Sequence, residues 1–257
     1  MMEESLADKR PVFFFDIDNC VRELFVYDLK SFWLTICFTK LYSKKNNTID
    51  SKVGDYLIEL IDKYFMNHLD LTREDACRLN QEYYKNYGLA VEGLVRHHKI
   101  DPLEYNRQVD DALPLESILS PNPELQRLLR DFDRTKVKLW LFTNAYITHA
   151  KRVTSILGVD GIFEGITFCD YGMERLICKP REEAFRKAMS DAGITKFEDC
   201  YFVDDSELNC KKAEELGWVA VHLKEDGVDI PATSSCKYQI KELVELKSLF
   251  PQFLLNN

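Results

Sequence analysis

The alternation of short apolar runs with amphipathic segments after Pro121 constrains the fold of this chain more than any other feature of its sequence. Four such runs occupy residues 137–143 (VKLWLFT), 165–170 (GITFCD), 200–205 (CYFVDD) and 218–223 (WVAVHL). Runs of this length suit strands that are buried on both faces, and the segments between them suit helices. Strands that alternate with helices are typical of a parallel sheet covered on both sides. We therefore predict a doubly wound α/β fold, closed by one last helix over residues 238–250 (YQIKELVELKSLF).

An earlier part of the chain, residues 49–113, has the periodicity of helices only. Thr72, followed three residues later by Asp75, is typical of a helix start, and Gly88 is typical of a helix end. Pro102 suits the first turn of another helix. Since the apolar run PVFFFD before this part predicts a first core strand, the helical residues are an all-helical insert in the α/β core.

Polar side chains follow three of the predicted strands: Asp16 and Asp18, Thr143 and Asn144, and Asp204 and Asp205. Parallel strands bring their carboxyl ends to one crevice, where Lys179 of the CKP segment is a further candidate. Four carboxylates would repel one another unless a hard divalent cation lay among them, and Mg²⁺ prefers oxygen ligands. An anion opposite that cation would bind Lys179 and Thr143. The charges alone therefore predict a site for Mg²⁺ and a phosphate group.

Composition excludes several other classes of protein. The net charge of −9 and the pI near 5.2 argue against a nucleic acid or an anionic membrane as partner. The eight cysteines have no metal-ligand spacing and no disulfide pattern. The N-terminal segment MMEESLADKRPV lacks the apolar core of a secretory signal, and no apolar run is long enough to span a bilayer. We expect a cytoplasmic location, with the nucleus as a possible additional compartment. The sequence does not indicate an oligomeric state.

The order D-x-D, hydrophobic-T-N, K-P and hydrophobic-D-D-S, within residues 13–206, resembles that of the haloacid dehalogenase (HAD) superfamily. The segments FFFDIDNC, YYKNYGLA, EYNRQVDDALPL, KLWLFTNAY, CKPREEAF and YFVDDSELN resemble the fungal pyrimidine 5'-nucleotidase group of that superfamily. The resemblance implies a HAD-like Rossmannoid core with a helical cap. It also implies hydrolysis of UMP and CMP, small-molecule nucleoside monophosphates, with Mg²⁺ as cofactor.

Matched position by position, the resemblance implies roles for the polar residues. Asp16 corresponds to the nucleophile that forms an aspartyl-phosphate, and Asp18 corresponds to the general acid and base. Thr143 and Lys179 correspond to the phosphate-binding positions, and Asn144 would contribute through its backbone amide or its side chain.

The same match implies the metal ligands. They are Asp16, the backbone carbonyl of Asp18, and Asp205, while Asp204 is either a ligand or a hydrogen-bond acceptor behind the ligands.

Two other functions stay open. One is a HAD phosphatase for another small ester, such as a sugar phosphate or a lysophosphatidate. The other is a catalytically impaired protein that binds a phosphorylated ligand.

The predicted domains are a catalytic core (residues 11–20 and 114–257), a helical cap (residues 41–113) and an extra segment (residues 21–40). In the resembling family the motif continues as D-x-D-N-C-L-Y, so Leu41 would directly follow Cys20. Two interpretations of the extra segment remain. It is either a short intron that is read in frame, as its possible codons allow, or a lineage-specific insertion, and it would bulge beside the mouth of the site.

Other polar residues have a simpler interpretation. We expect Asp110 and Asp111 to form a turn, because pairs of acids are common there. Tyr83, Tyr84 and Tyr87 could stack on a flat base or could pack within the helical cap, and the sequence does not separate these alternatives.

Overall fold

The computed structural model describes residues 8–18, 49–224 and 236–256, with side chains in the second range from residue 56 onward. The extra segment predicted at residues 21–40 lies outside the described residues, and so does part of the predicted cap boundary. The proposed domain limits therefore stay a prediction.

The described strands form one six-stranded sheet in which every neighbouring pair is parallel. The strands are β1 (Val12–Phe15), β2 (Lys138–Phe142), β3 (Gly165–Thr167), β4 (Cys200–Asp204), β5 (Val219–Leu223) and β6 (Tyr238–Ile240). Their order across the sheet is β3-β2-β1-β4-β5-β6. The chain thus winds outward from β1 in both directions, which confirms the doubly wound parallel sheet.

Successive side chains of β1 enter two different cores, as the twofold period of a strand requires. Phe13 and Phe15 pack into a cluster on one face of the sheet, and Val12 and Phe14 pack into a cluster on the other. All four side chains are fully buried. A strand with no polar position is stable only with both faces covered, which is why PVFFF reads as a continuous apolar run.

Some of the described helices cover the faces of the sheet, and the first four form a separate helical layer. The described helices are α1 (Ile49–Leu69), α2 (Arg73–Tyr87), α3 (Ala90–His98), α4 (Pro102–Gln108), α5 (Leu115–Ile118), α6 (Pro123–Arg130), α7 (Ile147–Leu157), α8 (Glu182–Asp191), α9 (Glu207–Glu215) and α10 (Leu246–Leu249). Side chains of α6 and α7 cover one face of the sheet, and side chains of α8 and α9 cover the other. The first four helices supply most of a third, separate core.

The helix signals in the sequence have the predicted geometry. The Thr72 hydroxyl accepts a hydrogen bond from the Asp75 amide at the start of α2. Gly88 ends that helix with φ of 77°, a left-handed conformation that glycine adopts without steric cost. Helix α4 begins at Pro102.

The C-terminal prediction was wrong in its first half. Residues Tyr238–Ile240 form β6 instead of a helix, and only Leu246–Leu249 are α-helical. The apolar spacing of this segment fits a helix, but β5 would otherwise leave its open edge unpaired, and Val221, His222 and Leu223 supply the partners for β6. Tertiary pairing therefore overrides the local pattern.

The structure also bears on a membrane location. Among the described helices, none combines the length with the apolar character that a bilayer span demands.

Candidate active site

Three neighbouring strands deliver polar groups to the same edge of the sheet. Asp16 follows β1, Thr143 follows β2, and Asp204 is the last residue of β4. These strands are parallel and adjacent, so their carboxyl ends lie side by side. The Asp16 amide donates to the carbonyl of Val203 at 3.0 Å, which extends the ladder by one residue and holds the Asp16 backbone in register with β4.

Lys179 reaches this edge from the loop between β3 and α8 and joins two of the acids. Its Nζ lies 2.7 Å from Asp16 Oδ1 and 2.7 Å from Asp204 Oδ2, and it donates to the carbonyl of Phe142 at 2.8 Å. The side chain is only 1% exposed. Three short contacts therefore hold a buried ammonium group at the centre of the acids.

The pKa shifts in this cluster show that the positive charge of Lys179 does not neutralise the negative charge of the acids. Burial opposes the charge on Lys179, but Asp16 and Asp204 hold its pKa above the usual value. Burial raises the pKa of Asp16 to about 8, and the charges of Asp204 and Asp18 act in the same direction against Lys179. The site thus has an excess of negative charge that a further cation would relieve.

A divalent metal ion fits this set of donors. Carboxylate oxygens of Asp16, Asp204 and Asp205 lie within 4.8 Å of one another. Asp204 already accepts from the Ser206 amide at 2.7 Å and from the Asn209 side chain at 3.1 Å, in addition to Lys179. Asp16 and Asp205 are therefore the better candidates for direct ligands, with Asp204 orienting Lys179.

Thr143 and Asn144 are brought to the same crevice. Thr143 is buried, and its hydroxyl accepts from the Ala145 amide at 2.9 Å. The Asn144 carboxamide is occupied by the backbone of Lys179, because its Oδ1 accepts from the Lys179 amide at 2.7 Å and its Nδ2 donates to the Lys179 carbonyl at 2.9 Å. The sequence predicted a contribution from either the side chain or the backbone amide of Asn144. These bonds occupy the side chain and leave the backbone amide available to a phosphate group.

Asp18 faces a histidine that the sequence analysis did not single out. Asp18 Oδ1 lies 2.9 Å from Nε2 of His149, which is 5% exposed and belongs to the first turn of α7. The sequence does offer a signal for His149. Ligands bind outside the carboxyl ends of parallel strands, and α7 begins just after the β2 motif with its first turn at those ends.

A cavity of about 210 Å³ connects this acid cluster with the helices between β1 and β2. Every predicted site residue lines it: Asp16, Asp18, Thr143, Asn144, Lys179, Asp204 and Asp205. Of the three tyrosines, Tyr84 lines the cavity. The hydroxyls of Tyr83 and Tyr87 form hydrogen bonds of 2.7 Å with Nε2 of His98 and of His97, respectively. Packing within the helical layer thus accounts for Tyr83 and Tyr87.

Asp110 also lines the cavity, although the sequence predicted only a turn for the Asp110–Asp111 pair. Its neighbour Asp111 is exposed and accepts from the Asn106 side chain at 2.8 Å, as a turn residue can. Burial raises the pKa of Asp110 to about 7. The local pattern does not separate these two acids, which lie between the buried residues Val109 and Leu113.

The fold and the acid cluster agree with a comparison to protein families. A family model described as haloacid dehalogenase-like hydrolase matches residues 11–217, most of the chain. The chain belongs to the haloacid dehalogenase-like hydrolases.

Individual proteins extend the comparison. Phosphate metabolism protein 8 of Saccharomyces cerevisiae is 37% identical over 226 residues, which cover 84% of this chain and 63% of that protein. The chain therefore spans less than two thirds of the length of that relative. The magnesium-bound crystal structure of the HAD-hydrolase YfnB from Bacillus subtilis covers 94% of this chain and 99% of its own, with a TM-score of 0.54 and 14% identity. A HAD phosphatase from Thermococcus onnurineus covers 95% and 100%, with a TM-score of 0.51 and 16% identity. These two structures support the fold.

Proposed function

We propose that this hydrolase is a magnesium-dependent phosphatase for pyrimidine 5'-nucleotides, with UMP and CMP as substrates and nucleoside and phosphate as products. The observation that carries the proposal is the contact of Lys179 with both Asp16 and Asp204 inside a cluster of carboxylates. A nucleophilic carboxylate beside a fixed ammonium group and an oxygen-rich metal site suits the transfer of a phosphoryl group.

The chemistry takes place in two displacements. A carboxylate oxygen of Asp16 attacks phosphorus, the bond to the leaving oxygen breaks, and Asp18 donates a proton to that oxygen. Asp18 then accepts a proton from a water molecule, which attacks the phosphorus of the aspartyl-phosphate and releases phosphate and Asp16. The presence of Asp18 distinguishes the chain from dehalogenases of the superfamily, which lack an acid at this position.

The remaining groups bind the phosphoryl oxygens. Thr143, the Asn144 backbone amide and Lys179 donate to the charge that develops on them. Asp16, the Asp18 carbonyl and Asp205 would hold Mg²⁺, which supplies neutralisation of carboxylate and phosphoryl charge when it is bound. Asp204 keeps Lys179 in place through its bond at 2.7 Å.

The preference for pyrimidines rests on a different support. The segments YYKNYGLA and EYNRQVDDALPL resemble the pyrimidine-specific group, and both contribute to the cavity, through Tyr84 and Tyr105 among others. The name of the yeast relative, Phosphate metabolism protein 8, agrees with a phosphate ester as substrate.

A substrate panel tests the proposal. Phosphate release is measured from UMP, CMP, AMP, GMP, a sugar phosphate, a lysophosphatidate and p-nitrophenyl phosphate, with Mg²⁺ and with EDTA. We expect kcat/KM for UMP and CMP to exceed that for AMP by about tenfold or more, and EDTA to abolish turnover. Equal kcat/KM for AMP and UMP would refute the pyrimidine preference. Turnover of no ester in the presence of Mg²⁺ would refute the enzymatic function and favour a ligand-binding protein.

A further inference from the structure

Asn80 of α2 has a buried polar atom that none of the described residues hydrogen-bonds. The residue lines the cavity and is 4% exposed, and its Oδ1 has no hydrogen-bond partner among the residues that the structure describes. Buried polar atoms in folded proteins are almost always hydrogen-bonded, because an unpaired one loses its water without compensation. An orphaned amide oxygen in a cavity wall therefore indicates a missing partner.

The position of Asn80 follows from the course of α2 past the acid cluster. At the end of the helix, a Cβ on Gly88 would lie 2.5 Å from the Lys179 carbonyl oxygen, so this end abuts the loop that carries Lys179. One turn earlier, the Tyr84 hydroxyl hydrogen-bonds to Ser206. Burial raises the pKa of Tyr84, and the negative charge of Asp205 raises it further. Asn80 lies one further turn away, about 6 Å along the axis. A substrate with its phosphate at Lys179 would extend its organic part toward Asn80.

The helices between β1 and β2 also contribute apolar side chains to the cavity wall. Ile61 and Tyr105, each 5% exposed, line it together with Leu57. Flat apolar walls accept an aromatic heterocycle, but they do not fix its orientation or distinguish its polar edge. A polar group at the end of such a slot supplies that selection.

We propose that Asn80 is the residue that recognises the pyrimidine base, an inference that rests on the proposed nucleotidase function. Its carboxamide offers one acceptor and one donor group side by side. Uracil presents a donor at N3 and an acceptor at O4, whereas cytosine presents an acceptor at N3 and a donor at N4. A half-turn of the amide pairs with either edge, so one side chain accepts both UMP and CMP.

The test separates recognition of the base from binding of the phosphate. For the wild type and Asn80→Leu, kcat/KM is measured on UMP and CMP, and inorganic phosphate serves as a base-free probe through its inhibition constant. Leucine has the same branched arrangement of side-chain heavy atoms, although it is larger, and it forms no hydrogen bond. We expect kcat/KM to fall about tenfold or more on both nucleotides. We expect the inhibition constant of phosphate to change less than about twofold, because that contact lies at the other end of α2.

Asn106 supplies the matched control. It is also a buried asparagine with an orphaned Oδ1, at 3% exposure, but it does not line the cavity. Asn106→Leu is expected to leave the ratio of nucleotide kcat/KM to phosphate affinity unchanged. Asn80→Ala repeats the test if the leucine variant does not fold.

Each result decides the proposal. A parallel rise in the inhibition constant of phosphate would assign Asn80 a structural role, and unchanged kcat/KM on UMP and CMP would remove it from base recognition. A wild-type enzyme that hydrolyses neither nucleotide would instead overturn the proposed function, and this inference with it.

Discussion

The imidazole of His149 lies against the carboxylate of Asp18, with 2.9 Å between Nε2 and Oδ1, although 131 residues separate them in the sequence. Asp18 is half-buried at the cavity, whereas His149 is almost fully buried in α7. A rigid buried ring therefore restricts the rotation of the carboxyl group that we propose as the general acid and base.

This contact predicts a leaving-group dependence. His149→Phe keeps a ring of similar size but loses the nitrogen, and we expect kcat on UMP to fall roughly tenfold or more because Asp18 is held less well. Hydrolysis of p-nitrophenyl phosphate, whose leaving group needs little protonation, should fall much less. His149→Gln, which keeps a nitrogen near the Nε2 position, should recover part of the loss. Equal losses on both esters would contradict this positioning role.

Asp16→Asn is expected to reduce turnover roughly 10³-fold or more, because an amide is a poor nucleophile and a weaker metal ligand. The fold should survive, since Lys179 keeps its contact with Asp204. Steady-state kinetics measure the loss, and circular dichroism with thermal unfolding checks the fold. A folded variant with activity near that of the wild type would exclude Asp16 as the nucleophile.

Asp18→Asn should reduce kcat on UMP by about 10²–10⁴-fold, the usual contribution of a general acid or base. The first displacement on p-nitrophenyl phosphate should be partly restored, which a burst of p-nitrophenol in rapid-mixing experiments would reveal. If both esters lose activity to the same extent without a burst, Asp18 does not protonate the leaving group.

Lys179→Met should destabilise the protein by about 3–5 kcal/mol in urea unfolding without Mg²⁺, because Asp16 and Asp204 would lose their buried counter-charge. Lys187→Met is the matched control. Lys187 pairs with Asp191 at 2.6 Å on the surface, where both side chains are about one third exposed, and its loss should cost less than about 1 kcal/mol. Similar free energies of unfolding for the two variants would show that the buried ammonium group is not required.

Asp110 predicts a pH dependence of stability. Burial raises its pKa from 3.8 to about 7, so between these values the folded protein retains a proton that the unfolded chain has lost. Its contribution to stability is complete below pH 4 and is lost as the pH rises toward 7, by at most about 1.4 kcal/mol per pH unit. Asp110→Asn should remove that part of the slope in urea unfolding at pH 5, 6 and 7, whereas the exposed Asp111→Asn should retain it. The same slope in Asp110→Asn as in the wild type would disprove the assignment.

Strands β1 to β5, the helical insert and the polar residues that follow the strands were predictable because their signals are local. PVFFF has no polar position and so requires two covered faces, and a parallel sheet necessarily brings Asp16 and Asp204 to the same edge. The caps at Thr72 and Gly88 depend on single side chains and on the backbone freedom of one glycine. For these features, neighbours in the sequence contain the physical cause.

Contacts between distant segments were decided only by the tertiary structure. Three contacts depend on which surfaces meet when the chain is packed: the pairing of β6 with β5, the approach of His149 to Asp18, and the placement of Asp110 rather than Asp111 in the cavity wall. A periodic pattern specifies which face of a helix or strand is apolar, but several arrangements satisfy the same pattern. The selection among them depends on close packing and on hydrogen-bond satisfaction across the whole fold, and residues near one another in the sequence do not contain that information.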